Sequence, residues 1–432
     1  MFTSLHLPAT FRAFQHRNYR LWFFGQGVSL IGTWMQTMAQ QVLVYRLTGS
    51  AASLGIISFI GLVPVIPLSL WGGSITDRFP RRTIMLITQA IMLVQALLLA
   101  VLAWSGAVQI WHIYVLAFIL GAATAVDLPA RQAFTVDMVE GKEDLPSAIG
   151  MNSAMFNGAR AIGPALAGIL VATTGEGNAF FLNGLTFVAV IISLLMMRGL
   201  PKPKSQIERE SSPFKHMAGG LNFIFQHRVI LILISLIAIS AFLSMPYNTL
   251  LPVFASVVLK QSAQPVVATL CNSNSLFMGC QAPEALPLGL LYSMIGVGAV
   301  IGALVVASLP TNAKRGRLLT LGNLAFPLFL VLFAFSTHFS ISLILTLFIG
   351  FSFVWQNALA NTLLQFVTPD ELRGRVMGVY TMTFQTMFRL GGLQAGFVAD
   401  WIGAPISVGI GAAISLLYGL FVAVLYPKVR QL

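Results

Sequence analysis

The chain has 432 residues, 57% of them hydrophobic and only 9% charged, with a mean hydropathy of +0.84 and a net charge of +12. Soluble domains carry about 25% charged residues, so lipid rather than water must solvate most of this surface. A nucleic-acid reading of the net charge fails because the cations punctuate apolar runs instead of gathering on a polar face.

Crossing a bilayer takes about 20 mostly apolar residues in a helix. Runs of that kind centre on 21–45, 51–73, 83–105, 111–133, 146–172 and 177–197, and again on 229–256, 286–308, 318–336, 341–366, 374–397 and 403–425. The first run is too long for the apolar part of a signal peptide and lacks a small-residue cleavage site, so it reads as a retained span. The spacing predicts an all-α integral membrane protein with twelve transmembrane helices in two pseudo-symmetric six-helix bundles, 1–198 and 229–432. Residues 199–228 form a polar linker, in which Ser212 and Pro213 open either a short interfacial helix or a loop. Of the 25 Lys and Arg residues, all but Arg46, Lys260, Arg160 and Arg389 fall at one set of loops. By the positive-inside rule that side, with both termini and the linker, is cytoplasmic, as expected for a multi-pass cell-membrane protein.

Span 1 carries Gln26, Ser29, Thr33, Gln36 and Gln40 at steps of three and four, a polar stripe that lipid would not tolerate. It either lines a cavity or bonds neighbouring helices. Asp127, near the cytoplasmic end of span 4, is the one acid inside a span, with Arg131 one helical turn on. Its two readings are a proton-coupling site, because a carboxylate holds its proton less tightly near cations and more tightly in apolar surroundings, and a structural ion pair.

An internal repeat follows. EDLPSAIGMNSAMFNGARAIGPALAG opens span 5 and DELRGRVMGVYTMTFQTMFRLGGLQAG opens span 11. Gly150 answers Gly378, Arg160 answers Arg389, and Gly163 answers Gly392. Asp144 and the Thr368-Pro369-Asp370-Glu371 run have the form of helix caps. Duplicated halves place a binding cavity between them, near mid-membrane. Arginines inside spans are expensive and functional by default. Arg160 and Arg389 therefore either attract an anionic substrate group or satisfy freed backbone carbonyls. Asn152 shares a face with Arg160, and Gln385 lies one turn before Arg389.

The 7–8 connection, 257–285, is an insertion on the outer side. Counted over 20–198 and 229–427, the second half is twenty residues longer than the first. It holds both cysteines of the chain, Cys271 and Cys280, which form either an exterior disulfide or two incidental thiols. The histidines are scattered, so no metal site is expected. No Gly-rich phosphate loop is present, so neither ATP nor another cofactor is expected.

Between spans 2 and 3 stands GGSITDRFPRR, which resembles motif A of the major facilitator superfamily through Gly73, Asp77, Arg78, Arg81 and Arg82. Pro80 stands where the family usually has Gly. The resemblance implies a conformational latch; the residue-level alternative is plain topology signalling. Gly163, Pro164 and Gly168 in GPALAG resemble motif C, which in that superfamily marks exporting antiporters; Ala167 departs from the pattern. DLPARQAF at 127–134 and the span-5 segment further resemble the enterobactin-exporter-like branch, the transmembrane secretion effectors. That resemblance implies a proton-coupled antiporter, not an enzyme, that exports a small molecule such as a siderophore, drug or metabolite by alternating access; a monomer is the expected unit. An importer or lipid transporter of the same fold, and a non-transporting receptor or scaffold, are the competing readings.

Overall fold

The computed structural model describes residues 9–65, 67–68, 79–139, 143–200, 213–271, 280–310 and 313–431. Gly73, Asp77 and Arg78 of the motif-A segment, and residues 201–212 of the linker, lie outside the described residues. A 3₁₀ turn, Ala9–Gln15, precedes α1 (Arg17–Thr48), α2 (Ala51–Ile60), α3 (Arg81–Trp104), α4 (Ile110–Met138), α5 (Leu145–Thr174) and α6 (Glu176–Met196). The second half continues with α7 (Pro213–Gln226), α8 (Arg228–Ile239), α9 (Tyr247–Val253), α10 (Lys260–Cys271), α11 (Ala285–Ala307), α12 (Arg315–Ala334), α13 (Phe339–Val367), α14 (Asp370–Ile402), α15 (Ala404–Leu425) and the short α16 (Pro427–Gln431).

Among the described residues, nine helical segments are long and apolar enough to cross a membrane. The expected spans 1 and 11 correspond to α1 and α14, of 32 and 33 residues. At 1.5 Å per residue each is about 50 Å long, ample for a bilayer, but polar stripes dilute their apolar character. Span 2 is described only in part.

The outward faces explain the composition. α3 exposes Ile87, Ile91, Val94, Leu98 and Val101 while burying Thr88, Gln89 and Gln95. α15 likewise exposes Ile406, Ile410, Ile414, Leu417, Phe421 and Val424. Apolar groups outside and polar groups inside is the reverse of a soluble helix, and it suits a hydrocarbon solvent whose exclusion of polar groups forces them to pair within the protein.

The chain divides into two compact units. The first comprises Met1–Gln40 and Ile60–Ile207, the second Gln41–Phe59 and Glu208–Leu432. The sequence reading places all of 1–198 in one bundle, whereas residues 41–59 cluster with the second unit. The reason is a close seat on α14, described below.

In the first unit α3 packs on α4 and α6, and Tyr19, Trp22, Met85, Phe134 and Leu194 join α1, α3, α4 and α6 in one core. α5 approaches α1 at Gly163, where an added Cβ would lie 2.6 Å from Trp34 Cβ and 2.8 Å from the Ile31 carbonyl. Small residues permit such contact between membrane helices. In the second unit α12 packs on α13 and α15, and α13 on α11. There Gly391 of α14 meets the Phe242 backbone. Spans 5 and 1 in one unit, and 11 and 7 in the other, thus meet at glycines in matching places.

Span 7 is not a plain α-helix. Ser240–Ser244 and Phe254–Val258 are π-helical turns on either side of α9. Pro252 cannot donate to the carbonyl four residues back, that of Asn248. The Tyr292 hydroxyl of α11 lies 2.8 Å from that carbonyl and 2.6 Å from Gln41 Oε1, and its single proton can go to either acceptor. A neighbouring helix thus places a donor within reach of the carbonyl that Pro252 cannot serve.

Two expected caps take other partners. Asp144 precedes α5 without a side-chain cap and pairs instead with His16 Nε2 at 3.0 Å. Thr368 donates to the Leu364 carbonyl at 2.6 Å rather than capping α14. In both places the start of the helix lies against other polar groups that compete for the side chain.

Cys271 and Cys280 form a disulfide, with Cα atoms 5.4 Å apart. Because the chain has only these two cysteines, no thiol should react with a maleimide in the unreduced protein, and two should react after reduction. Opening this short loop is expected to cost about 2–3 kcal/mol of local stability, read as earlier proteolysis of the α10–α11 connection.

Candidate transport residues

The span-1 stripe is largely tied into the first unit. Gln36 Nε2 donates to Gln95 Oε1 on α3 at 3.0 Å, and Asn183 Nδ2 on α6 donates to Gln36 Oε1 at 2.7 Å. Thr186 extends the chain to Asn183 at 3.1 Å. Gln36 thus links three helices, as the bonding alternative to cavity lining requires. Thr33 donates to the Ser29 carbonyl of its own helix at 2.8 Å. Gln26 is buried with its Oε1 unbonded among the described residues, and Gln40 is half-buried at the end of the first unit's opening segment.

Asp127 is 1% exposed and heavily coordinated. Its Oδ1 accepts from Thr88 Oγ1 at 2.7 Å and from Gln89 Nε2 at 3.2 Å, both on α3, while Oδ2 forms an ion pair with Arg131. Nearby, Arg81 pairs with Asp137 at 2.7 Å and donates to the Ala133 carbonyl at 3.0 Å. Arg17 and Arg82 donate to the carbonyls of Met196 and Leu195 at 3.0 and 2.9 Å. Those carbonyls are the unsatisfied C-terminal groups of α6, where the helix dipole favours cations. The basic signature of this edge therefore has a structural use beyond topology.

Asn152 sits in a bridge between helices. Tyr19 Oη lies 3.0 Å from the Ala148 carbonyl and 3.1 Å from Asn152 Oδ1, and Asn152 Nδ2 donates to Thr135 Oγ1 at 3.3 Å. The second unit repeats the theme, with Tyr380 Oη donating to Asn357 Oδ1 at 2.8 Å.

The two intramembrane arginines diverge. Arg160 lies over the Trp34 ring at 5.8 Å, and Trp34 meets Phe156 edge-on. Arg389 Nη1 donates to the Ser58 carbonyl of α2 at 3.2 Å. Gln385, one turn earlier on α14, is half-buried. The motif-C residues Gly163, Pro164 and Gly168 are buried along α5.

A partly open cavity of about 360 Å³ in the second unit is lined by Tyr45, Arg46, Ser256, Lys260, Glu284 and Leu288, among others. It gathers the two cations that the sequence assigns to the outer side. Two of its charged residues, Lys260 and Glu284, belong to the disulfide-tied insertion.

The sequence pattern of the transmembrane secretion effectors matches residues 8–431. The chain belongs to this family. It is therefore a multi-pass membrane transporter of a small molecule and not an enzyme. The staphyloferrin A transporter of Staphylococcus aureus is 26% identical over 385 residues, covering 88% of this chain and 90% of the relative. The multidrug efflux pump Tap of Mycolicibacterium fortuitum is 25% identical over 396 residues, covering 90% and 91%. The enterobactin exporter EntS of Shigella flexneri is 24% identical over 398 residues, covering 92% and 86%. The crystal structure of the nucleoside transporter NupG has a TM-score of 0.69 at 14% identity, covering 94% of this chain and 98% of that one. That likeness concerns the fold alone, and it agrees with the helical membrane architecture of the described residues.

Several groups in this secretion effector escaped the sequence reading: Gln95 and Asn183, which complete the Gln36 chain, Glu176, buried at the start of α6, and Asp400. Only Asp400 carried a signal. It sits in the last turn of α14, where an acid opposes its own helix dipole, so its partner had to lie elsewhere.

Proposed function

We propose that this protein exports a small organic molecule of siderophore or drug type from the cytoplasm by proton antiport and alternating access. The observation that carries this reading is full-length similarity to a siderophore transporter, a siderophore exporter and a drug efflux pump, each matched over 86–91% of its own length. The Gly163-Pro164 packing of α5 on α1 supports it, since a small-residue contact next to a proline can slide or bend. Asp127 with Arg131 is the coupling pair, because a buried carboxylate held by one cation and two neutral donors changes all three contacts when it takes a proton. The cytoplasmic side is the one bearing Arg17, Arg81, Arg82 and Arg131, which puts both termini inside and Arg46, Lys260 and the disulfide outside. The working unit is the single chain.

Expression in a strain lacking its own efflux pumps tests the export reading. Resistance to at least one siderophore or drug, with cellular accumulation of that compound restored by a protonophore, is the expected result. Accumulation that rises on expression and falls with the protonophore would instead mean import.

A further inference from the structure

Residues 41–59 belong to the first half of the sequence but to the second structural unit. What seats them there is visible around Asp400. Its Oδ1 accepts the Ala51 amide at 2.7 Å, while Oδ2 accepts the Ser50 hydroxyl at 2.6 Å and the Ala52 amide at 3.2 Å. The Ser50 oxygen in turn accepts the Ser53 amide at 3.3 Å. Ala51 begins α2, so Asp400 supplies from 350 residues away the cap that a local Asp or Ser usually provides. Three amides at the start of α2, which no carbonyl of that helix can reach, are satisfied by this pair of side chains.

Electrostatics gives the contact a direction. Asp400 lies in the last turn of α14, where the dipole of its own helix disfavours negative charge, and it faces the first turn of α2, where the dipole favours it. The two helix ends attract the same carboxylate unequally, so the charge is stabilised only while α2 is in place.

Backbone packing continues below the cap. An added Cβ on Gly396 would lie 2.6 Å from the Ala51 carbonyl, and one on Gly55 would lie 2.6 Å from the Gly392 carbonyl and 2.8 Å from Leu393 Cα. The Arg389 bond to the Ser58 carbonyl ends the seam. At Gly55 and Gly396 the fit leaves no space for a Cβ, so the two backbones touch there.

We propose that Asp400 is a positioning residue of the transport cycle, a latch that caps α2 and holds 50–59 against α14, and that must release whenever the outer side opens. This inference rests on the orientation and alternating-access cycle proposed above. Asp400 does not touch substrate in this scheme. It sets how much of the protein has its outer side closed, and hence how readily the cytoplasmic side loads.

Ser58→Cys provides the reporter, because the Ser58 side chain faces Gly392 on α14 and both native cysteines are in the disulfide. In purified protein, Asp400→Ala is expected to raise the rate at which a membrane-impermeant maleimide labels the introduced thiol by about tenfold, since three bonds are lost, two of them amide-to-carboxylate. Asp400→Asn, a comparable cap without the charge, should raise it about two- to threefold. Ser50→Ala, which removes one donor from the opposite side, should fall between wild type and Asp400→Ala. In efflux assays Asp400→Ala should raise the apparent KM at the cytoplasmic side, with Asp400→Asn restoring most of it.

Unchanged labelling of the introduced thiol in all three variants would overturn the latch, whatever happens to melting temperature. A lower melting temperature with unchanged labelling and KM would reduce Asp400 to a structural cap. If Asp400→Ala fails to fold, Asp400→Asn and Ser50→Ala carry the same test. Labelling needs no substrate, so a protein that exports nothing in cells can still support the latch, and an active exporter can still refute it.

Discussion

Asparagine in place of Asp127 is expected to abolish uphill efflux while downhill exchange of the same substrate continues. The substitution preserves shape: an amide oxygen can still accept from Thr88, which approaches at 2.7 Å. It removes the charge that Arg131 pairs with and the site where a proton could bind. One proton moving down a potential of about 100 mV carries about 2.3 kcal/mol, enough to hold a neutral substrate at roughly a fiftyfold gradient. In proteoliposomes with an imposed proton gradient, the wild type should approach that order of accumulation, and Asp127→Asn should stop at equality. Alanine is the poorer test. Breaking a buried ion pair costs about 3–5 kcal/mol, with the lower end expected here because the Arg131 side chain is 24% exposed. Asp127→Asn with Arg131→Gln should recover stability without recovering coupling. An Asp127→Asn protein that still concentrates substrate would make Asp127 structural and move the proton elsewhere.

What the sequence made legible was whatever each residue negotiates with its solvent. The apolar runs marked the spans, and the facing periodicity of α3 and α15 is the same pattern seen from outside. The repeat of Gly163 and Gly392 anticipated a glycine-lined helix contact in each half, although in the second half the glycine against the Phe242 backbone is Gly391, one residue away. Illegible was which helix lies beside which. The stripe of α1 reads as polar from either cause, and only the through-space positions of Gln95 and Asn183 decide that Gln36 is occupied by bonding. The same holds for Asp144, whose place before a helix promised a cap but whose nearest partner is His16, 128 residues away. The division into units runs through α1, after Gln40. No composition shift marks it, because the helix is continuous and only its neighbours change. The π-helical turns of span 7 left one trace, the prolines at 246 and 252.

The repeat also promised equal roles for Arg160 and Arg389, and the structure divides them. Arg389 donates to a backbone carbonyl of α2, on the same seam as Asp400, and so links two helices. Arg160 lies over an indole whose far partner is Phe156. An aromatic face fixes the plane of a guanidinium, and that plane sets the direction in which its N–H fork can meet a carboxylate. Arg160→Ala is therefore expected to weaken transport of anionic substrates selectively. A hydrogen bond to a charged group contributes about 1.5–3 kcal/mol, so KM for a carboxylate- or catecholate-bearing compound should rise about tenfold or more, while a neutral substrate changes less than about twofold. Arg160→Lys keeps the charge but loses the planar fork, and should fall between. Arg389→Ala should instead lower the melting temperature and affect both substrate classes alike, because an intramembrane carbonyl and a close helix contact lose their partner. Paired competition assays with one anionic and one neutral substrate separate the two residues. Equal losses for both classes in Arg160→Ala would remove it from substrate recognition and leave the aromatic stack as its role.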